Sequence, residues 1–573
     1  MLQNVFFLSY HGMKMSAIDY FFVSLYNGSK EAINMFKRFG TMLDCSRNAV
    51  MRPETVMQWI DILKDLGYNA LMLYTEDTFE LDTHPYFGHL RGRYTQQELR
   101  EIDDYAFSNG VELIPCIQTL AHLNQIFQWD CYASIRDCYD ILLAGEENTY
   151  GLIEEMFRVI RKTFRSGTVN IGMDEAHMLG RGQYLTRFGL KDRTEILLTH
   201  LERVSQIAKK YDLQLIMWGD MFVRMINAAA DDMDPIDVAD KVRSRIPDNV
   251  DIIYWDYYGC EEAHYDRELK RHLACKEGVW FAGGLWSWTG YAPHNAFSIM
   301  TTRAALAACK HNGTENIFFT LWGDDGADCT PFCLLPALYY TAQLAKGIED
   351  EDTIREGFAR RFGVSFDTFM LLDLPGTPNA EPTPTKWPAY PNNTEKYMLF
   401  SDCFMGRMDT TVRRGDGAAY AACAEKLADR TPVPNYDLLF ASAQALCEVL
   451  AIKTELGIET RAAYQEGRTA ELLPQYRALL EKLETFYTAY RTQWLTLNKP
   501  QGFEVQDIRL GGLIRRVEHC LWRLEGYAAG RIEKIEELEE PVLDYRSSTD
   551  APSPGPTCFN SWAKSATANA VGS

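Results

Sequence analysis

Eight short β-prone apolar runs, at residues 41–43, 70–74, 111–116, 168–171, 213–217, 251–254, 279–285 and 317–321, alternate with amphipathic helical patterns. Beyond about residue 346 the helical patterns continue without strands. Together these predict an α/β fold: a (β/α)8 TIM barrel over residues 39–346, followed by an all-helical C-terminal domain over 347–546. A doubly wound sheet is the structural alternative. It would want a glycine-rich phosphate turn after its first strand, and the sequence has none there.

Residues 1–38 mix apolar stretches with Gly28-Ser29 and a helical 31–38, and are expected to be a short N-terminal remnant. The stretch 55–66 places Val56, Ile60, Leu63 and Leu66 on one helical face, the stripe that packs on a sheet. Residues 96–107, 154–163, 194–211 and 296–310 repeat the pattern between strands. The second domain reads as helices at 353–362, 397–405, 416–427, 435–456, 471–497 and 505–537. The proline-rich interval 373–393 is expected to be loop, and 547–573, of low complexity at its start, a disordered tail.

The 573 residues carry a net charge of −21, which argues against nucleic acid or an anionic membrane as partner. Fourteen cysteines form no C-x-x-C pair, which argues against a structural zinc site and a disulfide framework. Met1–Tyr10 lacks a basic region and a cleavage site, and no apolar stretch reaches about 18 residues. The expectation is a soluble cytoplasmic protein.

In a parallel barrel the chemistry lies just after the strands. Strand one releases Asp44-Cys45-Ser46-Arg47, strand two Tyr74-Thr75-Glu76, strand three Gln118-Thr119-Leu120-Ala121-His122, and strand four Asp174-Glu175. Strand five gives Trp218-Gly219-Asp220, strand six Tyr254-Trp255-Asp256-Tyr257, strand seven Trp286-Ser287-Trp288, and strand eight Trp322-Gly323-Asp324-Asp325. Carboxylates and an arginine exchange hydrogen bonds with hydroxyls, and indole faces cover the C–H face of a pyranose, so the inventory suits a sugar. His122 and His177 have no second histidine at ligand spacing, so no metal and no cofactor is expected. A nucleophile elbow is absent. Two sequential acids do not readily flank a glycosidic bond from opposite sides, because successive strand side chains diverge. They can serve one substrate if one protonates the leaving oxygen and the other holds a substrate group acting as nucleophile.

Ile171-Gly172-Met173-Asp174-Glu175 resembles the Gly-x-Asp-Glu signature of glycoside hydrolase family 20, the β-N-acetylhexosaminidases. Asp44-Cys45-Ser46-Arg47 is similar to that family's Asp-x-Ser-Arg, Ala121-His122 to its Gly-His, Tyr254-Trp255-Asp256 to its Tyr-x-Asp, and Trp322-Gly323-Asp324 to its Trp-Gly-acid. The helical tail is most similar to the bacterial subgroup with such a domain. The resemblance implies Glu175 as general acid and Asp174 as the group orienting the 2-acetamido N–H while its carbonyl oxygen attacks C1. Tyr254 would hold that oxygen; Arg47 and Asp324 would fix ring hydroxyls, with Asp256 near O6 or the pocket edge. Trp218, Trp286 and Trp322 would wall the site, and His122 with Glu76 would tune Glu175. Trp255 and Trp288 are expected to be packing, and Asp220, Asp325 and His177 outlying polar groups. The implied partner is an oligosaccharide or glycoconjugate ending in N-acetylhexosamine, and the helical domain offers surface for a homodimer. Two other readings stand: a conventional two-carboxylate glycosidase pairing Glu175 with Asp256 or Asp324, and a catalytically degenerate carbohydrate-binding protein.

Overall fold

The computed structural model describes residues 36–222, 242–378, 394–433, 435–544 and 561–571. Eight parallel strands form a closed barrel: β1 (Arg38–Asp44), β2 (Ala70–Tyr74), β3 (Glu112–Cys116), β4 (Thr168–Asn170), β5 (Gln214–Trp218), β6 (Val250–Trp255), β7 (Trp280–Gly284) and β8 (Asn316–Leu321). Each pairs with the next in sequence, and β1 closes on β8, so that Met42 lies opposite Thr320 of β8 on one side and Met72 of β2 on the other.

Side-chain alternation divides every strand between two cores. Met42, Met72, Ile114, Ile216, Ile253 and Phe318 fill the barrel interior. Their neighbours Leu43, Leu71, Leu113, Leu215, Ile252 and Phe319 pack outward beneath the helices. Burial on both faces explains why the strands read as unbroken apolar runs. Arg38 closes the N-terminal end: its guanidinium meets Glu112 at 2.7 Å and lies 5.1 Å from the Trp280 ring. Local signals set helix starts, as where Thr95 and Glu98 form a reciprocal capping box ahead of the helix Gln96–Ser108.

The second domain is built on long helices, Asp437–Gln465, Leu473–Leu497 and Phe503–Ala528. The last was expected to reach 537. It stops at Ala528 because the chain turns at Gly530 and Arg531 N–H returns to the Gly526 carbonyl at 2.8 Å. The domain is sewn to the barrel: Arg52 N–H donates to Leu497 O and Lys499 N–H to Val50 O, at 3.0 and 2.8 Å. Residues 1–35 and 379–393, on which the remnant and most of the proline-rich loop fall, lie outside the described residues, as do 545–560. Within the expected disordered tail, 561–571 carries the helix Trp562–Ala566, with the Trp562 ring meeting that of Phe400 edge-on at 5.7 Å.

Candidate active site

The strand β4 is only three residues long, and the chain beyond it does not continue as a strand. Gly172, Met173 and Glu175 all adopt left-handed backbone, with φ of 71°, 67° and 52°. Such φ is uncommon outside glycine and is held by surrounding structure. Here the Gln118 side chain holds the first part of the turn, at Met173 and Asp174. Its carbonyl accepts Met173 N–H at 3.1 Å, and its amide donates to Asp174 Oδ1 at 2.8 Å and Tyr74 Oη at 3.0 Å. A Cβ at position 172 would lie 2.0 Å from Gln118 Oε1, so only glycine fits. The kinks cancel the alternation that would have sent two sequential carboxylates apart, and both face one cavity.

That cavity, of about 540 Å³, is lined by Arg47, His122, Asp174, Glu175, Asp324 and an aromatic wall. The two acids differ in environment. The side chain of Asp174 is 11% exposed and that of Glu175 42%. His122 Nε2 sits between them, 3.2 Å from Asp174 Oδ2 and 3.8 Å from Glu175 Oε2. Burial alone would raise the Asp174 carboxyl, but the facing His122 cation and the Gln118 amide hold it below its ordinary value. Burial likewise opposes the charge on His122, and the Asp174 carboxylate overrides it, pushing the imidazole up to about 9. The pair is therefore ionised at neutral pH.

This pairing carries a pH signature. A histidine raised in the folded chain contributes stability in full below its unfolded value of about 6.5, and loses it as pH rises through about 9. We expect wild-type thermal stability to decline over that window by on the order of 2 kcal/mol relative to His122→Gln. Parallel curves in thermal melts from pH 6 to 9.5 would contradict the pairing.

Arg47 is fixed on three sides. It donates to Asp44 Oδ2 at 2.9 Å, lies 3.5 Å from Glu76 Oε1, and spans the Tyr74 and Trp322 rings at 5.3 Å each. Asp44 also accepts Gly323 N–H at 2.9 Å, joining the β1 and β8 ends. Asp324, itself left-handed at φ 33°, is raised by burial to about 6, against the pull of Arg47.

Four expected site residues lie elsewhere. Tyr254 and Asp256 point outward from β6, because the inward parity belongs to Ile253 and Trp255. The Tyr254 ring packs at a tilt against His272 at 4.6 Å and its hydroxyl donates to Asp256 at 2.9 Å; Asp256 in turn meets His264 Nε2 at 2.6 Å and accepts Tyr258 and Gly259 N–H. They shape the turn and do not line the cavity. Trp286 is buried behind the wall, its indole N–H given to Tyr257 O at 2.9 Å and its ring 4.5 Å from Trp288. Glu76 is buried behind Arg47, accepts Tyr74 O–H at 2.9 Å, and lines an adjoining polar cavity of about 680 Å³. Trp218 and Trp322 stand in the wall, joined by Trp255, Trp288, Tyr257 and Tyr258. The aromatic run 254–258 signalled a ring-rich element, but not which rings face inward. Asp220 touches the site through its carboxylate, which accepts Glu175 N–H at 3.2 Å. Among the described residues no group of three or more histidines, cysteines or acids could hold a metal ion.

Two family profiles match separate stretches of the chain. The profile of the glycosyl hydrolase family 20 catalytic domain matches residues 36–312, and that of the glycoside hydrolase 20C C-terminal domain matches 367–555. Hexosaminidase D of Bos taurus is 25% identical over 245 residues, 40% of this chain and 64% of that protein. Hexosaminidase D of Homo sapiens is 25% identical over 217 residues, 35% of this chain and 41% of that protein, so the chain spans less than two thirds of either relative. Among solved structures, the exo-β-N-acetylglucosaminidase of Vibrio harveyi is 14% identical, with a TM-score of 0.44 over 59% of this chain and 58% of that one. The chitobiase of Flavobacterium johnsoniae is 16% identical, with a TM-score of 0.44 over 80% of this chain and 78% of that one.

Proposed function

Because this chain belongs to glycoside hydrolase family 20, with residues 36–312 matching that family's catalytic domain, we propose that it is an exo-acting, retaining β-N-acetylhexosaminidase. It removes terminal β-linked GlcNAc or GalNAc from oligosaccharides or glycoconjugates, and the substrate's own 2-acetamido group is the nucleophile. The carrying observation is the left-handed turn at 172–175, which brings a buried, ionised Asp174 and a half-exposed Glu175 into one aromatic cavity.

Each residue then has a task. Glu175, at the more open side, protonates the glycosidic oxygen as the acetamide carbonyl oxygen attacks C1 from the opposite face. The C1–O bond breaks and an oxazolinium forms. Asp174 accepts the acetamide N–H and balances the positive charge, and His122 with Gln118 keeps it anionic and aimed. Glu175, now a carboxylate, takes a proton from water that attacks C1 on the face the leaving group left. The configuration is retained and the acetamide restored. Tyr257, which accepts the Trp322 indole N–H at 2.9 Å and so keeps its own proton to donate, holds the acetamide carbonyl in place of Tyr254. Arg47 and Asp324 hold ring hydroxyls. Trp218, Trp255, Trp288 and Trp322 cover the apolar faces.

A conventional two-carboxylate mechanism is the second reading. Asp324 supports it by sharing the cavity with Glu175 and titrating near 6. Aryl β-glycosides that differ only at C2 separate the two. Substrate assistance requires hydrolysis of the 2-acetamido sugars with the 2-hydroxy sugars slower by at least about 10³-fold, the contribution of a well-placed internal nucleophile. Comparable rates on both would sink it in favour of Asp324. The described cysteines stand as free thiols, mostly buried, which supports a reducing, cytoplasmic setting.

A further inference from the structure

The carboxylate of Asp324 makes no hydrogen bond or ion pair within the described residues, so its position is set by the main chain that carries it. That main chain is the turn 324–328, in which Asp324 O accepts Gly326 N–H at 2.8 Å. The turn is gripped almost entirely from the helical domain. Arg509 donates to Asp325 O at 3.0 Å and to Asp325 Oδ1 at 2.8 Å. Lys396 donates to Asp325 O at 2.9 Å and pairs with the Asp328 carboxylate. Gln506 donates to Asp328 Oδ1 at 2.7 Å and Tyr490 to Asp328 O at 3.1 Å. Trp562 N–H, from the C-terminal segment, reaches Asp325 Oδ2 at 2.9 Å, and its ring lies 5.7 Å from the Arg509 guanidinium.

Arg509 is the centre of this grip. Its side chain is only 8% exposed, it edges the polar cavity that adjoins the catalytic pocket, and that cavity shares Arg47, His122 and Asp324 with the pocket. The fit is tight enough to dictate sequence: Gly326 adopts φ 109°, and a Cβ there would lie 2.3 Å from Arg509 Nη1. Desolvated charge pairs with several hydrogen bonds lose most when one partner is removed, so the turn has one strongly preferred position.

We infer that the helical domain is part of the substrate-binding apparatus, with Arg509 a positioning residue that sets Asp324 against a ring hydroxyl of the terminal sugar. This rests on the hexosaminidase reading, in which Asp324 binds such a hydroxyl. The experiment measures kcat/KM on p-nitrophenyl β-N-acetylglucosaminide and its 3-, 4- and 6-deoxy analogues, for wild type, Asp324→Asn, Arg509→Gln and Gly326→Ala in the full chain. Asp324→Asn identifies the hydroxyl it binds as the one whose removal abolishes the variant's penalty. Arg509→Gln is expected to lower kcat/KM on the parent substrate about 10- to 100-fold. That penalty should vanish on the same deoxy analogue and persist on the other two. Gly326→Ala, which displaces Arg509 without removing it, should give the same selective pattern with a smaller loss. An equal penalty on all four substrates, or none on any, would overturn the inference while leaving the hexosaminidase reading intact. If the wild type neither hydrolyses these substrates nor binds N-acetylglucosamine by tryptophan fluorescence, both fall.

Discussion

Glu175→Gln is expected to reduce kcat on a p-nitrophenyl β-N-acetylhexosaminide by about 10³- to 10⁴-fold, the range for a general acid that also serves as base. The amide keeps the shape of the side chain and its backbone contact to Asp220 but has no proton to give. The loss should depend on the leaving group. A 2,4-dinitrophenyl glycoside departs without protonation, so formation of the intermediate should be nearly normal and only its hydrolysis slowed. Pre-steady-state kinetics would then show a burst of dinitrophenolate with Glu175→Gln. A loss of equal size on both leaving groups, with no burst, would remove Glu175 from the acid role.

Asp174→Asn is expected to lower kcat by about 10²- to 10³-fold while leaving KM within a few-fold, because the charge it supplies is needed only as the oxazolinium develops. The same substitution should reach His122. Without the facing carboxylate the main influence raising that imidazole is gone, and the burial that disfavours its charge remains. The ring should then lose its proton well below the value of about 9 it holds in the wild type. An NMR titration of the His122 ring would show the shift. An unchanged titration would mean that the two side chains are not coupled. Intact kinetics would mean that the acetamide needs no anion beside it.

The barrel was legible because its strands are apolar on both faces and its helices on one, and both patterns survive in the sequence without tertiary knowledge. The residues leaving the strands were equally visible, and Asp174, Glu175, Arg47, His122, Asp324, Trp218 and Trp322 do meet in one cavity. Facing direction at the strand ends was not visible. Tyr254 and Asp256 lie one register position off the inward set, and an apolar strand gives no alternation from which to read that. Trp286 and Trp288 exchanged roles for a local reason, since the Trp286 indole finds its acceptor in Tyr257 O inside the wall. The turn at 172–175 was hidden because its backbone is held by residues distant in sequence: Gln118, 55 positions from Met173, accepts Met173 N–H, and Asp220 accepts Glu175 N–H. The grip of the helical domain on residues 324–328 was hidden for the same reason, since Arg509 and Trp562 meet that turn only once the chain has folded.

Inhibition by the thiazoline analogue of N-acetylglucosamine tests the substrate-assisted mechanism most directly, because its fused ring copies the oxazolinium and no covalent enzyme intermediate. Competitive inhibition of the wild type, at least about 10²-fold tighter than N-acetylglucosamine itself and weakened by Asp174→Asn, is the expected result. No inhibition by the thiazoline, together with covalent labelling of a cavity carboxylate by a 2-deoxy-2-fluoro glycosyl fluoride, would contradict it.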